Sequence, residues 1–163
     1  MNIFVTSNSP IESAIALDDR RVIKMIIETA QLLSTVLHEL EISEGLNIYK
    51  STHQNHPCTI WAAESLGNFS WLLQHFEALS AEYKRRFGRD HKSYVTLIEI
   101  FSGPALQRLK KKIGNKKQTA FVNCTDFKDV PDVHEAYRQA LRKKWLNDKS
   151  PPKWTKAKRP EWF

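Results

Sequence analysis

Between Asp19 and about Glu41 the chain contains neither glycine nor proline, and Val22, Ile23, Met25, Ile26, Ile27, Ala30, Leu32, Leu33, Val36, Leu37 and Leu40 recur at helical intervals. This spacing predicts one long α-helix, opened by Asp18 and Asp19, whose carboxylates suit the positive end of a helix dipole. Aliphatic side chains occupy most of its circumference, so other elements have to enclose it. The remaining polar residues, Arg20, Arg21, Lys24, Glu28, Gln31, Thr35 and His38, fall within about 60° of Lys24 on a wheel of about 100° per residue. A narrow polar strip on an enclosed helix suits the lining of a cleft. It suits equally a solvent-facing seam held by a Lys24–Glu28 pair.

Local signals predict the other elements. Ser9-Pro10 supplies a cap and a first-turn proline for a helix reaching Leu17. Residues 43–56, with Gly45 and two asparagines, read as a loop closed by His56-Pro57. Residues 57–87 read as helical with a kink at Gly67, stopped by Gly88. His91 to Phe101 and Pro104 to Ile113 read as further helices, the second basic and ended by Gly114. Pro131 opens a helix to about Leu146, and a basic, aromatic tail follows from about residue 147. Only Ile3–Thr6 and a few residues near Phe121 resemble strands. The expected architecture is all-α: a single-domain helical bundle over residues 1–163 with long central helices.

Composition narrows the classes further. With 41% hydrophobic and 26% charged residues the chain supports a packed core and not disorder. No stretch approaches the ~20 apolar residues of a membrane span, and no basic segment precedes Ile3-Phe4-Val5, so the expectation is a cytoplasmic chain without a membrane partner. Cys58 and Cys124 lack a CxxC partner and read as buried thiols of a reducing compartment, with no metal and no cofactor expected. The net charge of +7 is segregated: residues 1–83 hold 4 Lys+Arg against 10 Asp+Glu, and residues 84–163 hold 21 against 8. Such asymmetry is the footprint of a phosphate-backbone binder, or else of a basic surface with no partner. The candidate DNA contacts are Lys84, Arg85 and Arg86, then Arg108, Lys110, Lys111, Lys112, Lys116 and Lys117, then Arg142, Lys143 and Lys144. Trp145, Trp154 and Trp162, interleaved with tail lysines, suit stacking on unpaired bases or pinning of the tail to the bundle.

A second constellation lies just before a predicted helix N-terminus. Lys50, His53, Asn55 and His56 suit an anion or a polarised base carbonyl there, with capping and turn hydrogen bonds as the alternative. Two histidines without a nearby carboxylate pair fall short of a zinc set. Glu64, Asn68 and His75 recur with Trp61 and Trp71 at helical spacing and can face the polar strip as substrate contacts, whereas Trp61, Phe69, Leu72, Phe76 and Leu79 read as core.

Three stretches resemble a known family. Leu17-Asp18-Asp19-Arg20-Arg21 through Glu28-Thr29-Ala30-Gln31 resembles the first long helix of the bacteriophage pyrimidine-dimer DNA glycosylases of the endonuclease V type, in which a short N-terminal arm precedes a catalytic Glu; Glu28 falls at that Glu. Trp71 to Gly88 is similar to their middle helix, and Arg159-Pro160-Glu161-Trp162 to their Arg-Pro-x-Trp near the C-terminus. A closer likeness is to a group of phage and bacterial proteins with no assigned activity, through Ile27–Leu33, Thr52–Trp61 and Arg159–Phe163.

The glycosylase resemblance implies an all-α DNA-repair enzyme, both hydrolase and lyase, with DNA and a flipped base as its partner. It implies that a free N-terminal amine attacks the sugar carbon of a damaged pyrimidine nucleotide, that the base leaves as an imine forms, and that β-elimination breaks the strand. Glu28 would stabilise the oxocarbenium-like sugar and move protons. The amine falls on Met1, because Asn2 is larger than the residues that normally permit methionine removal. An α-amine, with a pKa of about 7.7–8.0, is a competent nucleophile at neutral pH. The basic residues that flank the family's Glu match Ile27 and Gln31, leaving Arg21 or Lys24 to substitute from the same strip; Lys24 is itself a candidate for imine formation. Two alternatives stay open: a DNA-base-modifying transferase on the same scaffold, and a nucleic-acid-binding protein without catalysis.

Overall fold

The structure, a computed structural model, describes residues 2–163; Met1, the candidate carrier of the attacking amine, lies outside the described residues. The helices are α1 (Pro10–Ile15), α2 (Asp19–Glu39), α3 (Pro57–Glu64), α4 (Leu66–Phe87), α5 (Lys92–Ile100), α6 (Leu106–Ile113) and α7 (Val133–Asn147), with a π-helical turn over Phe101–Ala105 joining α5 to α6. The fold is all-α. Among the described residues there is no strand, so Ile3–Thr6 and the segment near Phe121 stay unpaired, and no helix is long and apolar enough to cross a membrane.

The expected long helix is α2. It packs along α4, with α3 and α5 against it and α1 against α4. Ile26, Leu33, Leu37, Leu72, Phe76 and Leu79 meet in the core, all fully buried. The expected helix over 57–87 is two helices. The break falls at Ser65, which is extended (φ −151°, ψ 154°) and whose hydroxyl accepts the Asn68 N–H at 3.0 Å, capping α4 afresh. Gly67 has a different role: its N–H donates to Lys116 O at 3.0 Å, and a Cβ there would sit 2.2 Å from Gln118 N. The 116–119 segment crosses the start of α4 too closely for any side chain. Between α5 and α6 the chain does not stop. Pro104 cannot donate a backbone hydrogen bond, and a wider turn absorbs the kink around Gly103 (φ −101°, ψ −105°).

Arg86 corrects the list of DNA contacts. Its side chain is fully buried, donating to Ile15 O at 3.1 Å and Leu17 O at 2.8 Å and pairing with Glu82 at 3.0 Å and Asp19 at 3.1 Å. The guanidinium stitches α4 to the turn between α1 and α2, out of reach of any phosphate, and removing one partner of such a buried set costs about 3–5 kcal/mol. The tail fastens to the same turn. Asp19 N–H donates to Lys153 O at 2.8 Å, Thr155 Oγ1 donates to Asp19 at 2.7 Å, and Trp154 Nε1 donates to Ala16 O at 3.0 Å. Trp145 gathers Trp162, stacked with centroids 5.4 Å apart, and Phe163 at 4.6 Å. The Trp162 carbonyl accepts from Arg142 Nε at 2.6 Å, so this ring pins the tail to α7.

Candidate functional site

A cleft of about 770 Å³ opens where the N-terminal arm, the first half of α2, residues 124–127 and the end of α7 meet. The polar strip of α2 enters it with Arg20, Arg21, Lys24 and Glu28. Beyond Glu28 the strip is covered by the 43–56 loop. Thr35 is buried with its hydroxyl on Gln31 O at 2.8 Å, while His38 pairs with Tyr49 O at 3.0 Å and Ser43 Oγ at 2.9 Å. Gln31, half-buried, does not line the cleft. The helix is also less enclosed than its pattern predicts, since Ile23 and Ile27 are each 40% exposed beside the strip.

Glu28, the strip's one carboxylate, is the most sheltered of the carboxylates that line the cleft, with a side chain 15% exposed and Lys24 Nζ at 3.2 Å; Lys24 itself is 72% exposed. Five cationic side chains line the cleft against three carboxylates, Glu28, Asp126 and Asp148, and a positive excess in a concavity focuses potential on an anionic ligand. Arg21 is fixed by Asp18 and Asp148, each at 2.9 Å, and Arg20 reaches Asp148 at 3.1 Å. The hydrogen bond from Arg21 holds the Asp148 carboxyl below its usual range. Asp18, buried beneath, also accepts Trp145 Nε1 at 2.8 Å. On the opposite wall Lys143 lies 3.6 Å from Asp126 and 5.8 Å from the centre of the Phe127 ring, and Lys144 is exposed.

The arm is clamped on both sides. Asn2, one peptide bond after Met1, lines the cleft; its Nδ2 donates to Cys124 O at 3.3 Å and its Oδ1 accepts Phe4 N–H at 2.9 Å. Phe4 sits at φ 43°, in the left-handed region that a bulky residue rarely occupies. Further on, His134 pairs with Val5 O at 3.0 Å and Arg138 Nε donates to Thr6 O at 3.1 Å, holding the arm against α7.

The second constellation does not reach this cleft. Lys50, His53 and Asn55 are exposed elsewhere, and His56 caps α3, its Nδ1 accepting Cys58 N–H at 3.1 Å. The substrate-contact reading of Asn68 is corrected. Asn68 is fully buried, donating to Trp61 O at 2.6 Å and Thr119 Oγ1 at 2.8 Å and accepting Thr119 N–H at 2.8 Å. His75 is corrected likewise: it is fully buried, stacked on Trp71 at 5.2 Å, with Nδ1 on Pro10 O at 2.9 Å. Burial holds its pKa down to about 4. Glu64 is exposed and accepts Thr119 Oγ1 at 3.1 Å. Of the basic clusters, Lys84 pairs with Asp90 and Arg85 with Glu82, whereas Lys110, Lys111 and Lys112 are exposed along α6. Arg142 is half-buried between Glu135 and Trp162 O.

Sequence reasoning missed the far wall, Cys124 to Phe127 together with Asp148. The one signal available for it was a lone acid among the lysines that end α7. Cys124 is half-buried in that wall and Cys58 lies behind it, Sγ to Sγ 3.1 Å. With His56 they form a group whose donor atoms all lie within 4.8 Å of one another.

A family model described as pyrimidine dimer DNA glycosylase matches residues 1–95, which include the arm and all of α2. No curated protein and no solved structure matches the chain.

Proposed function

The chain belongs to the pyrimidine dimer DNA glycosylase family, whose model spans more than half of it, and we propose that it is a DNA glycosylase with an associated lyase step, acting on a pyrimidine nucleotide drawn into the cleft beside Glu28. One observation carries the reading: a sheltered carboxylate on the central helix α2, paired with Lys24 at 3.2 Å inside a hollow with excess positive charge. In this reading the N-terminal amine at the head of the arm attacks the sugar C1′, and the glycosidic C–N bond breaks as the base departs. The resulting aminal opens to an imine. Loss of a C2′ proton then expels the 3′ phosphate. Glu28 faces the positive charge that develops on the sugar and relays protons between amine, ring oxygen and C2′.

The remaining cationic lining residues divide between the two walls of the cleft. Arg20 and Arg21, tied to Asp148, supply a fixed positive rim, whereas Lys143 and Lys144 suit the phosphates that flank an extruded nucleotide. Extrusion costs a few kcal/mol of unstacking, which such phosphate contacts offset. Phe127 and Phe4 line the space a base would occupy.

Borohydride reduction on duplex DNA carrying a pyrimidine dimer or an abasic site tests the proposal. The expected result is a covalent protein–DNA complex whose cross-link maps to the peptide of residue 1. Tight DNA binding with neither base release nor a trapped complex overturns it, and a cross-link mapped to Lys24 moves the nucleophile into the strip.

A further inference from the structure

The two cysteines play no part in the proposed reaction, yet they are placed together at the wall of the cleft. Cys124 is half-buried and lines it; Cys58, fully buried on the first turn of α3, stands behind with its Sγ 3.1 Å from Cys124 Sγ. They are the chain's only cysteines, 66 residues apart in sequence. We propose that they form a peroxide-reactive thiol centre, in which Cys124 is oxidised first and Cys58 resolves it to an intramolecular disulfide.

The geometry divides the two roles. Only Cys124 has access to solvent through the cleft, so a small oxidant meets it first. The hydrogen bond from Cys58 stabilises its thiolate and brings its pKa down to about 7, with the Tyr137 hydroxyl and Lys128 working in the same direction. Cys58 responds in the opposite sense: that hydrogen bond and burial push its thiol up, so it stays protonated and inert until a sulfenic acid forms beside it. In the first step the Cys124 thiolate attacks one oxygen of hydrogen peroxide and the O–O bond breaks; with one proton taken up, the products are Cys124 sulfenic acid and water. In the second, Cys58 sulfur attacks Cys124 sulfur, the S–O bond breaks, and the Cys58 proton leaves with the hydroxyl as a second water. The sulfurs have to close by about 1 Å to reach a disulfide bond length.

The same atoms, with His56, invite a reading as a metal site. His56 Nδ1, however, already accepts the Cys58 N–H, which leaves the ring proton of the neutral imidazole on Nε2. A metal would have to displace either that cap or that proton, whereas the thiol pair needs neither. Oxidation would tie α3 covalently to the segment whose Cys124 carbonyl holds Asn2, and so stiffen the cleft wall and the arm together. The thiol chemistry itself does not depend on the glycosylase reading.

The test treats the purified, folded chain with hydrogen peroxide in the presence and absence of dimedone, followed by intact-mass and peptide mass spectrometry. Expected are a monomer lighter by two hydrogens with a Cys58–Cys124 cross-link, dimedone capture on Cys124 alone, and accumulation of that adduct in Cys58→Ser. Alkylation of Cys124 by iodoacetamide should run at least ~10-fold faster than that of Cys58. Dimedone capture on Cys58, equal alkylation of both thiols, or disulfide-linked dimers overturn the proposal. So does one zinc ion per chain, measured by elemental analysis, that is lost in Cys124→Ser. None of these readouts involves DNA, so a failed thiol centre and a failed glycosylase give separate results.

Discussion

The polar strip of α2 and the face built by α3 and α4 carry the same kinds of residue, acids, histidines and amides at helical spacing, and the structure puts the Glu28 end of the strip to the opposite use. On α3 and α4 three such groups are drawn into holding the bundle together: Asn68 straps the 116–119 segment with two hydrogen bonds to Thr119 and α3 with a third to Trp61 O, Glu64 accepts from Thr119, and His75 lies under Pro10. On α2 the strip opens into a hollow, and its carboxylate meets a cation from its own helix and others from a distant one. Residue type and spacing do not separate the two regions. What separates them is whether neighbouring chain fills the space that the polar groups face.

The sharpest way to break this comparison is to make the same substitution in both regions. Glu28→Gln should reduce base release ~10²–10⁴-fold while leaving DNA affinity and folding intact, the range expected when an acid–base group is neutralised in place. Glu64→Gln, on the exposed edge of α3, should change release by less than about twofold. Single-turnover assays on lesion-containing duplex, with binding measured separately, distinguish the two. Equal losses would mean that the α3–α4 face belongs to the reaction after all.

The second test acts on stability, where the ranking of the two regions reverses. His75 has its pKa depressed to about 4 by burial, so between about pH 6.5 and 4 the unfolded chain takes up a proton that the folded chain refuses. Stability should therefore fall as pH drops through that window, by about 3 kcal/mol in all, and the contribution should level off below it. Urea denaturation at several pH values, compared with His75→Phe, checks this through the change in slope, whatever the variant's absolute stability. An unchanged slope would show that the imidazole is protonated within the fold.

These contrasts explain what the sequence could and could not disclose. The long helix was legible because its periodicity is a local property, and so was the strip with Glu28 on it. The break at Ser65 was hidden because Ala62 to Leu66 are residues that a continuous helix tolerates; what separates the two helices is the extended backbone of Ser65, whose hydroxyl caps α4. Gly67 announced a special position but not its cause, which is the backbone of Gln118 crossing 2.2 Å from where a Cβ would be. The wall from Cys124 to Phe127 has no periodicity and lies about a hundred residues from Glu28 in sequence, so nothing local marked it. Arg86 sits in a basic run with two exposed neighbours, and only tertiary contacts with Ile15, Leu17 and Asp19 show that its charge is spent indoors.

The smallest expected effect concerns where DNA runs across the surface. Lys144 lines the cleft and is exposed, whereas Lys50 is exposed on the loop before α3, outside the cleft. A lysine that neutralises one phosphate releases its condensed counterion, so Lys144→Ala should flatten the dependence of log affinity on log salt by about 0.9. At moderate salt that corresponds to about 0.5–1 kcal/mol of affinity, the same whether or not the duplex carries a lesion, because a phosphate contact positions DNA without reading it. Lys50→Ala should leave the slope alone. If instead the two variants lose the same increment, the backbone passes over both regions, and the 49–56 loop rejoins the DNA path even though it lies outside the hollow. A loss confined to Lys144 would route the strand along α7 and past Glu28, the path that a nucleotide extruded into this cleft requires.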